Sequence, residues 1–491
     1  MMKKIKYLVF ILMIFFQTSC TDWLELEPPN GLIRNEFWKT KEDVQAVLMA
    51  AYSKLASMNR MLFIYGEVRA DMLKGEYGQP VKERMLMENN IYSDNTLTNW
   101  ADFYKVIDYS NEVILNAEKV QAIDKTFTDY QKQGYVAEAY FIRSLAYFYL
   151  VRIYKEVPLV LEPTESDDVD VFIPKSTEDE VLDQIVSDLE ANRAFAPSFS
   201  FPTKEENKGR ASKAAYDALL ADIALWRFKY EDVIKYADRL EQNKQIVLLP
   251  TNKWFELFYP GNSLEGIFEI QFDSKLQQSN SLASLTNRYS YQYSPSQKSI
   301  EMFGFKFSNE LVRGEGASIA KYGESNYEIW KYIGQSPDGQ TRRSGDEYGS
   351  CNWIVYRYAD VILMKAEALS QMGNYTEAYE LINKIRERAN MPALKIADNQ
   401  IAYEDAIMEE RALEFAYEGK RWFDILRMGR RNNYARKDKL IEIIVSNVPS
   451  TQKRILATKL TNPLGWYLPI YEKEIERNTK LVQNPYYKTV K

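Results

Sequence analysis

The chain has no histidine in its 491 residues. That absence removes Ser-His-Asp and Cys-His nucleophile arrangements, histidine general bases and histidine-containing zinc sites. Cysteine is nearly missing as well, with Cys20 and Cys351 the two present. No apolar run is long enough for a membrane-spanning helix, which needs about 20 residues; the longest, Leu8–Phe16, falls well short. There is no phosphate loop, nucleophile elbow, EF-hand loop or CxxC pair. The net charge of −6 argues against nucleic acid, which calls for clustered Lys and Arg.

Among the features present, the N-terminus is the most specific. "MMKKIKYLVFILMIFFQTSCTDWLELEPPN" places Lys3, Lys4 and Lys6 before the apolar run, then the small residues Thr18 and Ser19 before Cys20. A cationic start, a short apolar stretch and small residues at the cut describe an export signal. A cysteine at the cut is the mark of a bacterial lipoprotein, whose thiol carries the lipid; a plain secreted protein with an incidental cysteine is the simpler alternative. The expectation is a signal over 1–19, lipidation of Cys20, and an acidic tether over 20–36. With Cys20 lipidated, Cys351 stands alone and no intramolecular disulfide forms. The fold then rests on packing. Aromatics reach 14%, with 35 Tyr and 9 Trp, which suits both a core and a surface that stacks on sugars or grips peptides.

The pattern along the chain predicts a mainly α fold. "TKEDVQAVLMAAYSKL" opens with Thr40 as N-cap and keeps Val44, Val47, Leu48, Ala51 and Leu55 on one face. A second helix spans about Thr98 to Val120, and "YVAEAYFIRSLAYFYLVRIY", apolar nearly all round, reads as a buried one. "STEDEVLDQIVSDLEAN" carries a Thr177/Glu180 capping box. "ALWRFKYEDVIKYADRL" and "ALSQMGNYTEAYELINKI" align with one gap, suggesting interrupted tetratricopeptide-like hairpins in a helical scaffold. A generic helical bundle would have the same periodicity. From about Leu249 to Trp353 the texture changes to long Ser-, Asn-, Gly- and Tyr-rich loops around one short strand, "GIFEIQFDS", with Phe268, Ile270 and Phe272 on one side and Glu269 and Gln271 on the other. Residues 63–95 share that loop texture, and long loops on a rigid scaffold are common binding elements.

Glu409, Glu410 and Glu414 have the spacing of a glycosidase carboxylate pair. Arg411, Lys420, Arg421, Arg427 and Arg430 share the segment, so paired charges on a scaffold helix explain them better. The acidic "ESDDVD" (165–170) suits either a solvated loop or a calcium collector; no cofactor is expected.

"YRYADVILMKAEAL", "EERALEFAYEGKRWFDILRMG" and the closing "GWYLPIYEKEIERNTKLVQNPYY" resemble, in order, signatures of the SusD/RagB family. The lipoprotein start and the Trp100–Ile114 segment fit the same series. The resemblance implies a helical fold with tetratricopeptide-like units and a less regular lobe, over 37–491 as one unit. It further implies an outward-facing outer-membrane lipoprotein that binds a nutrient, usually an oligosaccharide. Such a protein delivers its ligand, as a lid, to a SusC-like TonB-dependent transporter. An oligopeptide ligand is the alternative within that role, and a surface glycoside hydrolase is the alternative outside it. Arg357, Asp360, Arg421, Trp422 and Asp424 fall in the motifs and are expected to knit the structure together rather than touch ligand.

The ligand is expected between segment 63–95 and the 280–350 lobe. In "RYSYQYS" an extended chain would turn Tyr289, Tyr291 and Tyr293 to one face. Tyr77 and Tyr92 from the early segment, and Trp330 and Tyr332 from the lobe, would add rings. Asp71, Asn95, Arg342 and Asp346 would add hydrogen bonds. The competing expectation is that the tyrosines form an ordinary packed strand face.

Overall fold

The structure, a computed structural model, describes residues 37–163, 172–290, 292–306 and 312–487. Cys20 and the tether, the acidic run 165–170 and Tyr291 lie outside the described residues.

The scaffold begins with α1, Lys41–Ser57. The Thr40 side chain accepts the Asp43 N–H, and the Asp43 carboxylate accepts the Thr40 N–H at 2.7 Å. This reciprocal cap satisfies amides that the first turn leaves open. α2 (Ala101–Ile123) and α3 (Asp129–Tyr154) pack on α1 and on each other. Almost every residue of α3 from Ala137 to Tyr154 is buried, in keeping with its all-round apolar sequence. α4 (Glu178–Asn192) opens on the Thr177/Glu180 capping box.

Two helical hairpins follow the repeat pattern. α5 (Lys213–Trp226) and α6 (Tyr230–Glu241) form the first; α7 (Tyr358–Gln371) and α8 (Tyr375–Arg388) form the second. α6 packs along α7, so the hairpins stack on each other despite more than a hundred residues between them. α9 (Gln400–Glu414) and α10 (Arg421–Tyr434) close the scaffold; α10 leaves helical geometry at Arg431–Asn433.

Segment 63–95 is more regular than its loop-like sequence suggests. A helix over Asn59–Phe63 runs on into one π turn, Ile64–Val68; then come strand β1, Leu73–Gly75, and a helix over Val81–Met87. Every residue from Leu62 to Leu73 is buried. Gly66 lets the turn approach the backbone of the scaffold: a Cβ there would lie 1.8 Å from the Gly419 carbonyl oxygen. The small and polar residues needed for that approach hide the helical periodicity.

The predicted strand is β2, Gly266–Ile270. It pairs antiparallel with a strand at the end of the lobe, Trp353–Arg357, and is buried on both faces. Glu269 therefore does not face solvent as alternation suggested. Its Oε2 accepts the Asn262 backbone N–H at 2.9 Å and the Asn352 Nδ2–H at 2.8 Å. Burial without those donors would be costly.

Three more strands shape the lobe. β3 (Tyr293–Pro295) pairs antiparallel with β1, joining the early segment to the lobe. β4 (Ile319–Tyr322) and β5 (Asn326–Ile329) form a hairpin. Ala320, Trp330 and Ile333 form a small core of their own. Lys331 ties this lobe to the scaffold, its Nζ donating to the Glu418 carboxylate at 2.9 Å and the Glu414 carbonyl at 3.0 Å.

Candidate binding site

Asn287 sets the local shape of the candidate surface. Its side-chain oxygen accepts the Tyr289 N–H at 3.0 Å and its carbonyl accepts the Ser290 N–H at 2.9 Å. That turn replaces extended chain at Tyr289 and separates Tyr289 from Tyr293. Tyr289 projects outward, 67% exposed. Tyr293 lies in β3, buried, with its hydroxyl donating to Glu83 Oε2 at 2.5 Å. The expected row of three rings is thus broken, because the chain turns before the strand begins.

Two arginines hold Tyr289. The Arg288 guanidinium sits 4.9 Å from the ring centroid and donates from Nη2 to the Tyr289 hydroxyl at 2.8 Å. It also lies 5.2 Å from the Tyr322 ring at the end of β4. The Arg342 guanidinium is 5.8 Å from the Tyr289 ring and 5.3 Å from the Trp330 ring. Both arginines share Glu328, a buried residue of β5: Arg342 Nη2 donates to Oε2, and Arg288 Nη1 lies 3.7 Å from Oε1. The hydrogen bond to Tyr289, with Glu328 nearby, pushes Arg288 further toward its charged form.

Trp330 supports this group from below rather than at the surface, being 1% exposed. Gly334 makes room for it: a Cβ at 334 would fall 2.0 Å from Trp330 Nε1. The chain then returns, pairing Gly334 with Arg342, which brings the guanidinium back over the rings. Tyr332 is buried too, its hydroxyl donating to the Tyr417 carbonyl at 3.2 Å. Neither Trp330 nor Tyr332 offers a ring to a ligand in this arrangement.

The early segment contributes less than expected. Tyr77 is fully exposed just beyond β1, where the Glu76 N–H donates to the Gln292 carbonyl at 2.9 Å. It therefore borders the turn that carries Tyr289. Tyr92 is exposed on a separate turn, held against the C-terminal segment by the Glu472 N–H to the Ser93 carbonyl. Asp71 is fully buried, paired with Arg421 through two hydrogen bonds of 2.8 and 3.0 Å. A carboxylate so placed has no path to a ligand and must be removed from the expected contacts. Asn95 is likewise buried, capping the turn at Leu97. Asp346 is exposed in the first turn of a short helix.

Arg288, Glu328 and Tyr322 went unnamed in the sequence reading. The available signal was slight: Glu328 stands between Tyr327 and Ile329, and alternation along Asn326–Ile329 would turn it to the same side as the exposed Asn326. A carboxylate buried in a lobe strand calls for cationic partners.

Glu410 and Glu414, two of the three carboxylates that invited a hydrolase reading, are committed to ion pairs. Glu410 accepts from Arg313 at 2.7 Å and Arg386 at 2.9 Å; Glu414 accepts from Arg313 at 2.8 Å, Arg357 at 2.5 Å and Arg388. Both are buried. Burial works against the charge on Glu414, but Arg388, Arg357 and Arg313 hold it well below the usual carboxylate range. Arg357 also bonds Glu265 and Glu418, and Asp360 bonds Arg411 and Lys420. These motif residues join the lobe strand, the hairpin and the last helices, the knitting role expected for them. Among the described residues no three His, Cys, Asp or Glu side chains converge as a metal site. No described helix is long and apolar enough to cross a membrane.

Two open clefts of about 330 Å³ lie away from Tyr289. One is lined by Glu241, Tyr358, Lys365 and Glu380, the other by Asn90, Val448, Ile455 and Lys459. Tyr289 lines neither cleft, and its exposed ring stands as a platform.

Stacked helical hairpins carrying a strand-poor lobe define a mainly α protein of the helical-repeat class. The chain belongs to the SusD/RagB family: residues 248–487 match the SusD family, and residues 22–225 match a family described as "Starch-binding associating with outer membrane". A SusD-like protein of Formosa agariphila is 29% identical, with 99% of this chain and 100% of that one aligned. Among solved structures, a SusD superfamily protein from Bacteroides vulgatus superposes with a TM-score of 0.77 at 21% identity, over 92% of this chain and 100% of that one. A laminarin-binding SusD-like protein superposes with a TM-score of 0.71 at 20% identity, over 91% of this chain and 100% of that one. The mainly α, SusD-like fold expected from the sequence is the one found.

Proposed function

We propose that the protein is a cell-surface nutrient-binding lipoprotein that captures oligosaccharides on the Tyr289 face and passes them, as a lid, to a SusC-like TonB-dependent transporter. The observation that carries this reading is Tyr289, exposed yet fixed by Arg288 and Arg342. A sugar ring presents an apolar C–H face and a rim of hydroxyls; a rigid aromatic face with N–H donors beside it matches both. Holding the ring before the ligand arrives lowers the ordering cost of binding. The family description and the laminarin-binding relative support a glycan over other nutrients.

In this reading Cys20 carries the lipid anchor, residues 20–36 form the tether, and 37–491 works as one unit facing outward. Uptake across the outer membrane then needs a channel, and a barrel transporter supplies it. The test is a glycan array run beside a peptide library, with mild-detergent extraction of the native membrane in parallel. Binding to one or more oligosaccharides together with co-extraction of a large barrel protein is the expected result. Selective capture of peptides would move the ligand class, and recovery as a free monomer in every detergent would remove the transporter from the account.

A further inference from the structure

We infer that the oligosaccharide taken by the Tyr289 platform is an acidic one, carrying an oxyanion, a uronate carboxylate or a sulfate ester, that Arg342 binds beside the stacked sugar ring. This inference rests on the proposed function and narrows its ligand class.

The argument is one of charge and of free donors. Two guanidinium groups, Arg288 and Arg342, meet at the platform, and among the described residues one carboxylate, Glu328, is in contact with them. Glu328 is buried, so its charge is spent on the pair and not shown to a ligand. The carboxylate at the tip of the neighbouring turn, Asp338, is taken up within that turn: it accepts the Gln340 N–H at 2.8 Å, the Thr341 N–H at 2.9 Å and the Thr341 hydroxyl. Among the described residues, the ion-paired groups at the edge of the exposed ring are therefore two guanidinium groups against one carboxylate.

Arginine has five N–H donors in a planar fork. Among the described residues Arg342 donates one hydrogen bond, from Nη2 to Glu328. Its Nε–H, both Nη1–H groups and the second Nη2–H remain, so one two-donor edge, Nε–H with Nη2–H or Nη1–H with Nη2–H, is left on a half-buried side chain whose plane is fixed by Glu328, Trp330 and Tyr289. A fixed edge with two parallel donors fits the paired oxygens of a carboxylate or sulfate. A neutral glycan would need no charge there and would leave the excess cation unmatched.

The experiment measures affinity by calorimetry, using the soluble chain without its signal. The probes are oligogalacturonate and oligomannuronate beside their carboxyl-reduced counterparts, a sulfated galactan oligomer beside its desulfated form, and laminarin as the neutral glycan. At least one acidic probe should bind about tenfold or more tighter than its neutralised partner, and the gain should shrink in about 0.5 M NaCl. Which pair shows the gain separates carboxylate from sulfate. Arg342→Gln should remove most of that gain, while Arg342→Lys should keep part of it. Because the paired probes use the unaltered protein, the result does not depend on how the variants fold. If laminarin or a neutralised probe binds as tightly as any acidic one, and Tyr289→Ala abolishes that binding, the platform stands and the acidic preference is wrong. If nothing binds, or if binding survives Tyr289→Ala, the proposed function itself fails at this site and the inference falls with it.

Discussion

Arg421 grips Asp71 through both carboxylate oxygens, with both side chains buried and 350 residues of chain between them. The pair fastens the early segment that bears β1 to the start of α10. It shows what the charged residues of the family motifs do in this protein: they lock distant segments in register. Asp360 with Arg411 and Glu414 with Arg357 repeat the pattern. A buried ion pair is weak evidence for net stability, yet removing one partner leaves a buried charge alone.

Asp71→Ala should therefore cost stability and not binding. We expect a loss of about 3–5 kcal/mol in chemical unfolding, with the folded fraction binding ligand at full strength. A variant that unfolds at the wild-type midpoint but loses ligand would return Asp71 to the binding surface.

Trp330→Ala should behave in the same direction for a different reason. The indole fills the small core with Ala320 and Ile333, and truncating a large buried aromatic typically costs about 3–5 kcal/mol. The melting temperature should fall clearly. A variant that melts normally would mean the ring is not packed as described.

Glu67 predicts a pH dependence. Burial pushes its carboxyl from 4.5 up to about 8, although Oε1 accepts the Gly419 and Lys420 N–H groups. The folded-state value lies above the unfolded one. The folded chain thus keeps a proton that the unfolded chain releases, and this contribution to stability is lost as pH rises from about 4.5 toward 8. Glu67→Gln does not titrate. Relative to wild type it should gain stability across that window, by up to about 1.4 kcal/mol per pH unit. Parallel urea-unfolding profiles for the two proteins between about pH 5 and 8 would count against it.

At the N-terminus, Cys20→Ala should release the protein from membranes or leave the precursor uncut, as read by fractionation and N-terminal mass spectrometry. A Cys20→Ala protein that stays in the membrane with a correctly cut N-terminus would end the anchor idea.

Much of the scaffold was legible in the sequence, because helical faces leave a local signal. The Thr40 and Thr177 caps, the all-round apolar α3 and the two hairpins each follow from spacing within one segment. The lobe was less legible because its order is set by contacts far along the chain. Trp330 is buried because Gly334 gives way to it, and Tyr289 is exposed because Asn287 turns the chain before β3. Asp71 looked like a free polar group for the same reason: its partner lies 350 residues on. Tyr289 and Arg342 were named from their sequence context, yet Glu328, the carboxylate that Arg342 shares with Arg288, became apparent only in three dimensions.

The measurement that tests the central claim most directly is glycan affinity of Tyr289→Ala against wild type, with melting temperature recorded on both. The side chain is 67% exposed, so its removal should leave the melting temperature almost unchanged. It should lower affinity at least about tenfold, as loss of a central aromatic anchor does. Unchanged affinity in a stably folded Tyr289→Ala protein would contradict the claim that this ring is where the ligand binds.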